Sequence, residues 1–368
     1  MGKEKISYFQ FFCLIVLFEI GSAVMFSTAA KAKQDAWLVI LIAMVLGILL
    51  FWMYMLIRLA FPKLPLTGYV QLVFGKFLGR LIGFAYVIYF MYITTRLLRD
   101  FEELLMNTVY EENTIFSIGV TMMVALIYAN LKGIEVFSRT TELGLFFILS
   151  SLLIIIALHF AGGDIQVGNL QPMLENGWDP VLKEVFPGTL TVTFGELIVF
   201  TMLMPHVRDK KLIKTGMIAV LVSGLLLALI TAITISVITP SVRLRATFPI
   251  LTAASYINIG FIQRLETVVI IVLVILVFIK ISIFFFCAVK GTADLFKIKE
   301  PNSLVFPIGV IILLSSIMIA PNYNMHIQEG LSYVPYYLHI PLQIIIPVII
   351  FIVVLIKKRK KQSRRADE

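Results

Sequence analysis

Apolar residues gather in long runs along this chain, separated by short polar stretches. An α-helix needs about 20 predominantly apolar residues to cross a bilayer. Ten such runs lie near 10–30, 37–60, 81–106, 114–131, 142–161, 186–205, 215–239, 265–290, 302–320 and 336–356. They predict ten transmembrane helices. The longest connections are 162–185 and 240–264, and apolar stretches within them, such as Phe248-Pro249-Ile250-Leu251, suit packing at the membrane surface. No connection is large enough for a soluble domain. Residues 1–357 therefore read as one transmembrane domain and 358–368 as a basic tail. Lys3 and Lys5 ahead of the first run, with Phe26-Ser27-Thr28-Ala29-Ala30 near its end, have the outline of a signal peptide. Glu19 inside the run and the nine spans that follow favour a retained first helix.

Composition agrees. Apolar residues make up 60% of the 368 and charged residues 14%, with a mean hydropathy of +0.97. These values exclude a disordered chain, a disulfide scaffold and an ordinary cytosolic enzyme. The net charge of +9 reports orientation rather than a nucleic-acid partner. With the N-terminus inside, inner segments hold 22 of the 31 Lys and Arg residues and outer segments 8. Both termini are thus expected in the cytoplasm, as an even number of spans requires. Cys13 and Cys287 lie in apolar runs without metal-ligand spacing. The four histidines, His159, His206, His326 and His339, fall near span ends, and no metal, phosphate-loop or nucleophile motif appears. No metal, cofactor or enzymatic activity is expected.

Charge inside hydrocarbon is costly and marks a cavity or a partner. Glu19 in helix 1, Glu196 in helix 6 and Lys280 in helix 8 sit well inside their runs. Arg96 and Arg99, toward the outer end of helix 3, are expected to snorkel to the interface. The two acids have similar surroundings, Phe18-Glu19-Ile20-Gly21-Ser22-Ala23 and Thr193-Phe194-Gly195-Glu196-Leu197. A helix broken at such a glycine frees backbone groups for a polar ligand. Helices 1 and 6 also lead two sets of five. An odd set makes the second enter from the opposite side, which is the topology of a 5+5 inverted repeat, here about 10–161 and 186–356. The expected ligand site lies between helices 1 and 6, with Glu19, Gly21, Ser22, Gly195, Glu196 and Leu197. Ile93 and Leu97 of helix 3 are expected to line it, and Lys280 to act as an ion-site cation or charge partner of Glu19 or Glu196. Gly75-x-x-x-Gly79-x-x-x-Gly83 reads as a close helix contact.

Several segments together resemble the spore germination permeases, the B subunits of nutrient germinant receptors. These are distant members of the amino acid–polyamine–organocation transporter superfamily, with its LeuT/APC-like fold. The segments include Ile6-Ser7 with Gln10, Gln34-Asp35-Ala36-Trp37, Phe61-Pro62 and Phe74-Gly75-Lys76-Phe77-Leu78-Gly79. Further on come Gly133-Ile134-Glu135 with Arg139, Asn169-Leu170-Gln171-Pro172, Phe261-Ile262-Gln263-Arg264-Leu265-Glu266 and Phe278-Ile279-Lys280. Gly21-Ser22-Ala23-Val24-Met25-Phe26 is similar to the superfamily's helix 1 break, with Ala23 at its second glycine. The resemblance implies an all-α membrane protein with helices 1 and 6 broken. It also implies a small-molecule germinant, often an amino acid, an A subunit and a C-subunit lipoprotein as partners, and a place in the inner membrane of the spore. A proton-coupled amino acid transporter and an ion or water channel are the competing readings.

Overall fold

The computed structural model describes residues 5–110, 112–207, 211–259 and 265–366, with side chains as far as Lys357. Phe261, Ile262, Gln263 and Arg264 of the quoted segments, the loop cations Arg208 and Lys210, and Lys3 lie outside the described residues. Nine helices among the described residues are long and apolar enough to cross a membrane. The tenth element, α1 (Tyr8–Ala23), has only 16 residues. The expected run to residue 30 fails as a helix because the chain turns at Val24–Ala29, with Ala29 left-handed at φ 58°.

After α1 come α2 (Ala36–Ala60), α3 (Lys76–Thr108), α4 (Ile115–Lys132) and α5 (Ile134–Gly162). The second half holds α6 (Trp178–His206), α7 (Leu212–Arg245), α8 (Glu266–Phe296), α9 (Pro301–Met318) and α10, whose apolar part is Pro335–Lys357. The backbone of α10 stays helical to Ala366, so the basic tail extends this helix. Lipid-facing side chains such as Leu143, Phe146 and Met318 are exposed and apolar, as a bilayer solvent demands. α1 is wrapped by α5, α7 and α8, and almost every residue from Phe11 to Ser22 is buried.

Local chemistry sets the irregularities. Ser7 and Gln10 form a capping box that starts α1: Gln10 N–H donates to Ser7 Oγ at 3.1 Å, and Ser7 N–H donates to Gln10 Oε1 at 3.0 Å. α1 breaks at Gly21, whose φ/ψ of −2°/−110° is not helical. α6 enters as an α-helix over Trp178–Glu184, loosens into π turns over Val185–Phe194 and tightens into a 3₁₀ helix over Gly195–Val199. Pro187 removes a donor there, and Thr189, Thr191 and Thr193 are poor helix formers. The second break therefore falls at Phe186, whose φ/ψ of −126°/133° is not helical, nine residues before the expected Gly195. At Phe194/Gly195, beside Glu196, the backbone stays helical and only the turn tightens. α7 kinks at Thr239 because Pro240 bars its neighbour from helical angles. It then continues past the expected end at 239 to Arg245.

The two ends of the bundle are tied differently. At one, Ile6 bridges to Val207 and Arg58 donates to the Met204 carbonyl at 3.4 Å. At the other, Arg243 donates to the Thr28 carbonyl at 2.7 Å, while Ser27 Oγ donates to the Arg243 carbonyl at 2.6 Å. Asp35 accepts there from Leu174 N–H. Of the Gly75–Gly79–Gly83 stripe, Gly79 and Gly83 pack within the chain, while Gly75 faces open space and serves the turn with φ 83°. The short helix Leu66–Phe74 takes the space beside Gly79, and Leu295 that beside Gly83.

Candidate functional site

Two broken elements, α1 and α6, converge on Lys280 of α8. Its ammonium forms an ion pair with Glu196 Oε2 at 2.7 Å and donates to Ser22 Oγ at 3.1 Å. It also lies over the Phe18 ring, 4.9 Å from the centroid. Of the two acids within reach in sequence, Lys280 thus engages Glu196. The lysine is 1% exposed. Gly21 makes this possible: a Cβ there would sit 2.9 Å from Lys280 Cδ. Gly195 is hemmed in by the Gln343 side chain. Glu19 is fully buried, and neither carboxyl oxygen has a hydrogen-bond partner among the described residues. It lies within electrostatic reach of both Lys280 and Glu196.

Next to this pair is a cavity of about 70 Å³, room for a small molecule or a few waters. Of the expected site residues, Ser22, Ile93, Leu97 and Glu196 line it; Glu19, Gly21, Gly195, Leu197 and Lys280 do not. His339 also lines it, with Nδ1 3.3 Å from Thr191 Oγ1 and its ring edge-on to Tyr89. Behind His339, α10 runs as a π helix over Pro335–Ile345. Pro347 has no N–H for the carbonyls one turn back. Tyr54 and Tyr86 hydroxyls donate to the Gln343 and Leu342 carbonyls instead, each at 2.5 Å. The cavity shares Thr28, Val192, Ile327 and Leu331 with a larger vestibule of about 340 Å³. The helix Tyr323–Ser332, between α9 and α10, roofs the cavity.

Arg96 and Arg99 do not snorkel. They are 8% and 5% exposed, and Asp100, Glu102 and Glu103 around them are also buried. α3 continues to Thr108, so Arg96 lies about 18 Å from its end at 1.5 Å per residue. No side chain spans that distance. The charges are satisfied internally: Arg99 pairs with Glu103 at 2.7 Å, and Ser316 Oγ donates to Glu102 Oε1 at 2.8 Å. Arg96 and Asp100 also line the cavity. Sequence reasoning missed them, and missed His326, because a polar cluster near a predicted span end was assigned to the interface. The Arg96-x-x-x-Asp100 spacing deep in a 33-residue helix was the available signal.

Comparison with known proteins gives a consistent result. Residues 5–324 match the family described as spore germination protein. The chain is 38% identical to spore germination protein KB of Bacillus subtilis, covering all of this chain and 99% of that one. It is 24% identical to spore germination protein YndE of the same organism, over 94% and 96% of the two chains. Among solved structures, it is similar to Mhp1, a nucleobase-cation-symport-1 family transporter in a closed conformation with bromovinylhydantoin bound. That match has a TM-score of 0.66 at 11% identity and covers 87% of this chain and 73% of the other. MhsT in complex with L-phenylalanine matches with a TM-score of 0.65 at 15% identity, over 96% and 87%. The all-helical chain shares the LeuT-type transporter fold, and it is a multi-pass membrane protein of the spore germination permease family.

Proposed function

We propose that this chain is the membrane subunit of a nutrient germinant receptor and holds a small germinant, an amino acid, in the cavity between α1, α3, α6 and α10. The observation that carries the reading is the Lys280–Glu196 pair set against the break in α1, one residue from a cavity-lining serine. Ser22 touches Lys280 and the cavity at once, so an occupant can bias the geometry of the break. The pair is buried, and its balance is sensitive to any charge brought beside it. Lys280 supplies a fixed cation at the α1–α8 contact, the place where sodium-coupled proteins of this architecture hold an ion. Occupancy favours one conformation by differential affinity, and an A subunit and a lipoprotein read the change in the inner spore membrane. Both termini face the cytoplasm in this reading.

A proton-coupled transporter is the second reading, and Glu19 supports it. A buried carboxyl without a hydrogen-bond partner is suited to carrying a proton. Binding and uptake of labelled amino acids by purified protein in proteoliposomes separate the two. Saturable binding without uptake is expected. Uptake that follows a pH gradient would make the chain a transporter.

A further inference from the structure

We infer that Arg96 recognises the carboxylate of the ligand, an assignment that rests on the ligand-binding reading of the cavity. Helical spacing brings Ile93, Arg96, Leu97 and Asp100 of α3 to the same wall. Among the described residues, Arg96 is the one permanent cation on that wall; Lys280 does not line the cavity and is paired with Glu196. Glu196 supplies a carboxylate, and Val192, Leu331 and Val334 supply apolar surface. A wall with one guanidinium, two carboxylates of which Asp100 is held by His326, and apolar surroundings fits an amino acid zwitterion with a small apolar side chain. Its ammonium goes to Glu196 and its carboxylate to Arg96, whose planar fork suits two carboxylate oxygens.

The present partners of Arg96 leave this role open. Nη2 donates to the His326 carbonyl at 2.5 Å, and Nη1 to the Tyr92 hydroxyl at 3.3 Å. Glu329 Oε2 is 3.8 Å away, beyond hydrogen-bond range, and its side chain is 41% exposed. Asp100 is occupied by His326 Nε2 at 2.9 Å. Glu329 is therefore the exchangeable partner, and a carboxylate inside the cavity takes its place on Nη1. The guanidinium also fills the space where Gly330 has no side chain. Through the His326 carbonyl, Arg96 then joins the ligand to the roof helix Tyr323–Ser332.

The test is equilibrium binding of the proteinogenic L-amino acids, their carboxamides and D-glucose to the purified full chain. An amino acid is expected to bind at least about tenfold more tightly than its carboxamide, the scale of one hydrogen bond to a charged group. In Arg96→Met the acid and amide should bind equally, and Arg96→Lys should keep part of the difference. Glu329→Gln should tighten the acid and leave the amide unchanged, which a purely structural role for Arg96 would not produce. An acid-to-amide difference of the same size in wild type and Arg96→Met overturns the assignment. Binding of D-glucose without any amino acid also overturns it, while leaving the sensing reading in place. Failure of every probe sinks both. Should Arg96→Met not be recovered folded, the wild-type ratio and Glu329→Gln decide: a ratio below about twofold, or no effect of Glu329→Gln, rejects the assignment.

Discussion

Two buried charge clusters flank the cavity, and they are built on different principles. The cluster of α3 is dense and largely satisfied: Arg96 and Arg99 each reach a backbone carbonyl, Asp100 has His326, and Glu103 has both Arg99 and Asn107. The cluster at the α1 break is sparse. One lysine serves Glu196 and Ser22, and the Glu19 carboxyl beside it has no hydrogen bond among the described residues. A satisfied network holds one arrangement, whereas a sparse one responds to each added charge. The contrast assigns positioning of the roof helix to α3 and responsiveness to the α1–α6–α8 contact.

Breaking the sparse cluster should have the largest effect. Lys280→Met leaves Glu196 buried without its cation and should destabilise the protein by about 3–5 kcal/mol, with most of the loss recovered in Lys280→Met/Glu196→Gln. Thermal melting of the purified variants checks both; equal melting of the single and double variants would contradict the pairing. The corresponding cut in the dense cluster, Arg99→Met, should cost less, about 2 kcal/mol, because Asn107 still donates to Glu103. A loss equal to that of Lys280→Met would erase the distinction. Tyr54→Phe should cost about 1–2 kcal/mol by orphaning the Gln343 carbonyl in the π segment of α10. Arg139→Ala, which cuts an exposed pair with Glu135, should change melting by about 0.5 kcal/mol or less and serves as the control.

Legibility in the sequence follows the same division. Hydropathy located the spans because nine of them hold an 18-residue apolar window with at most two charges and α1, though short, carries only Glu19. The break in α1 was readable because Gly21 stands near an acid in an otherwise apolar run, whereas the break in α6 falls at Phe186 and not at the expected Gly195. Gly21 proved to be the non-helical residue and Gly195 the start of the 3₁₀ segment. Lys280 was conspicuous as an isolated cation, although only the fold could choose Glu196 over Glu19. The α3 cluster was misread because its partners are remote in sequence: His326, Ser316 and Glu329 lie more than 200 residues away. The roof helix Tyr323–Ser332 was hidden for a related reason, since its polar residues look like loop residues until α3 is set against them. The tyrosines that complete α10 gave no local signal at all.

The most direct measurement is the affinity of the purified protein for a labelled amino acid ligand, compared between wild type and Glu196→Gln. A loss of about tenfold or more is expected, the scale of a charge-assisted hydrogen bond, in a variant that remains monodisperse and helical. Unchanged affinity in well-folded Glu196→Gln would place the ligand elsewhere and contradict the central claim.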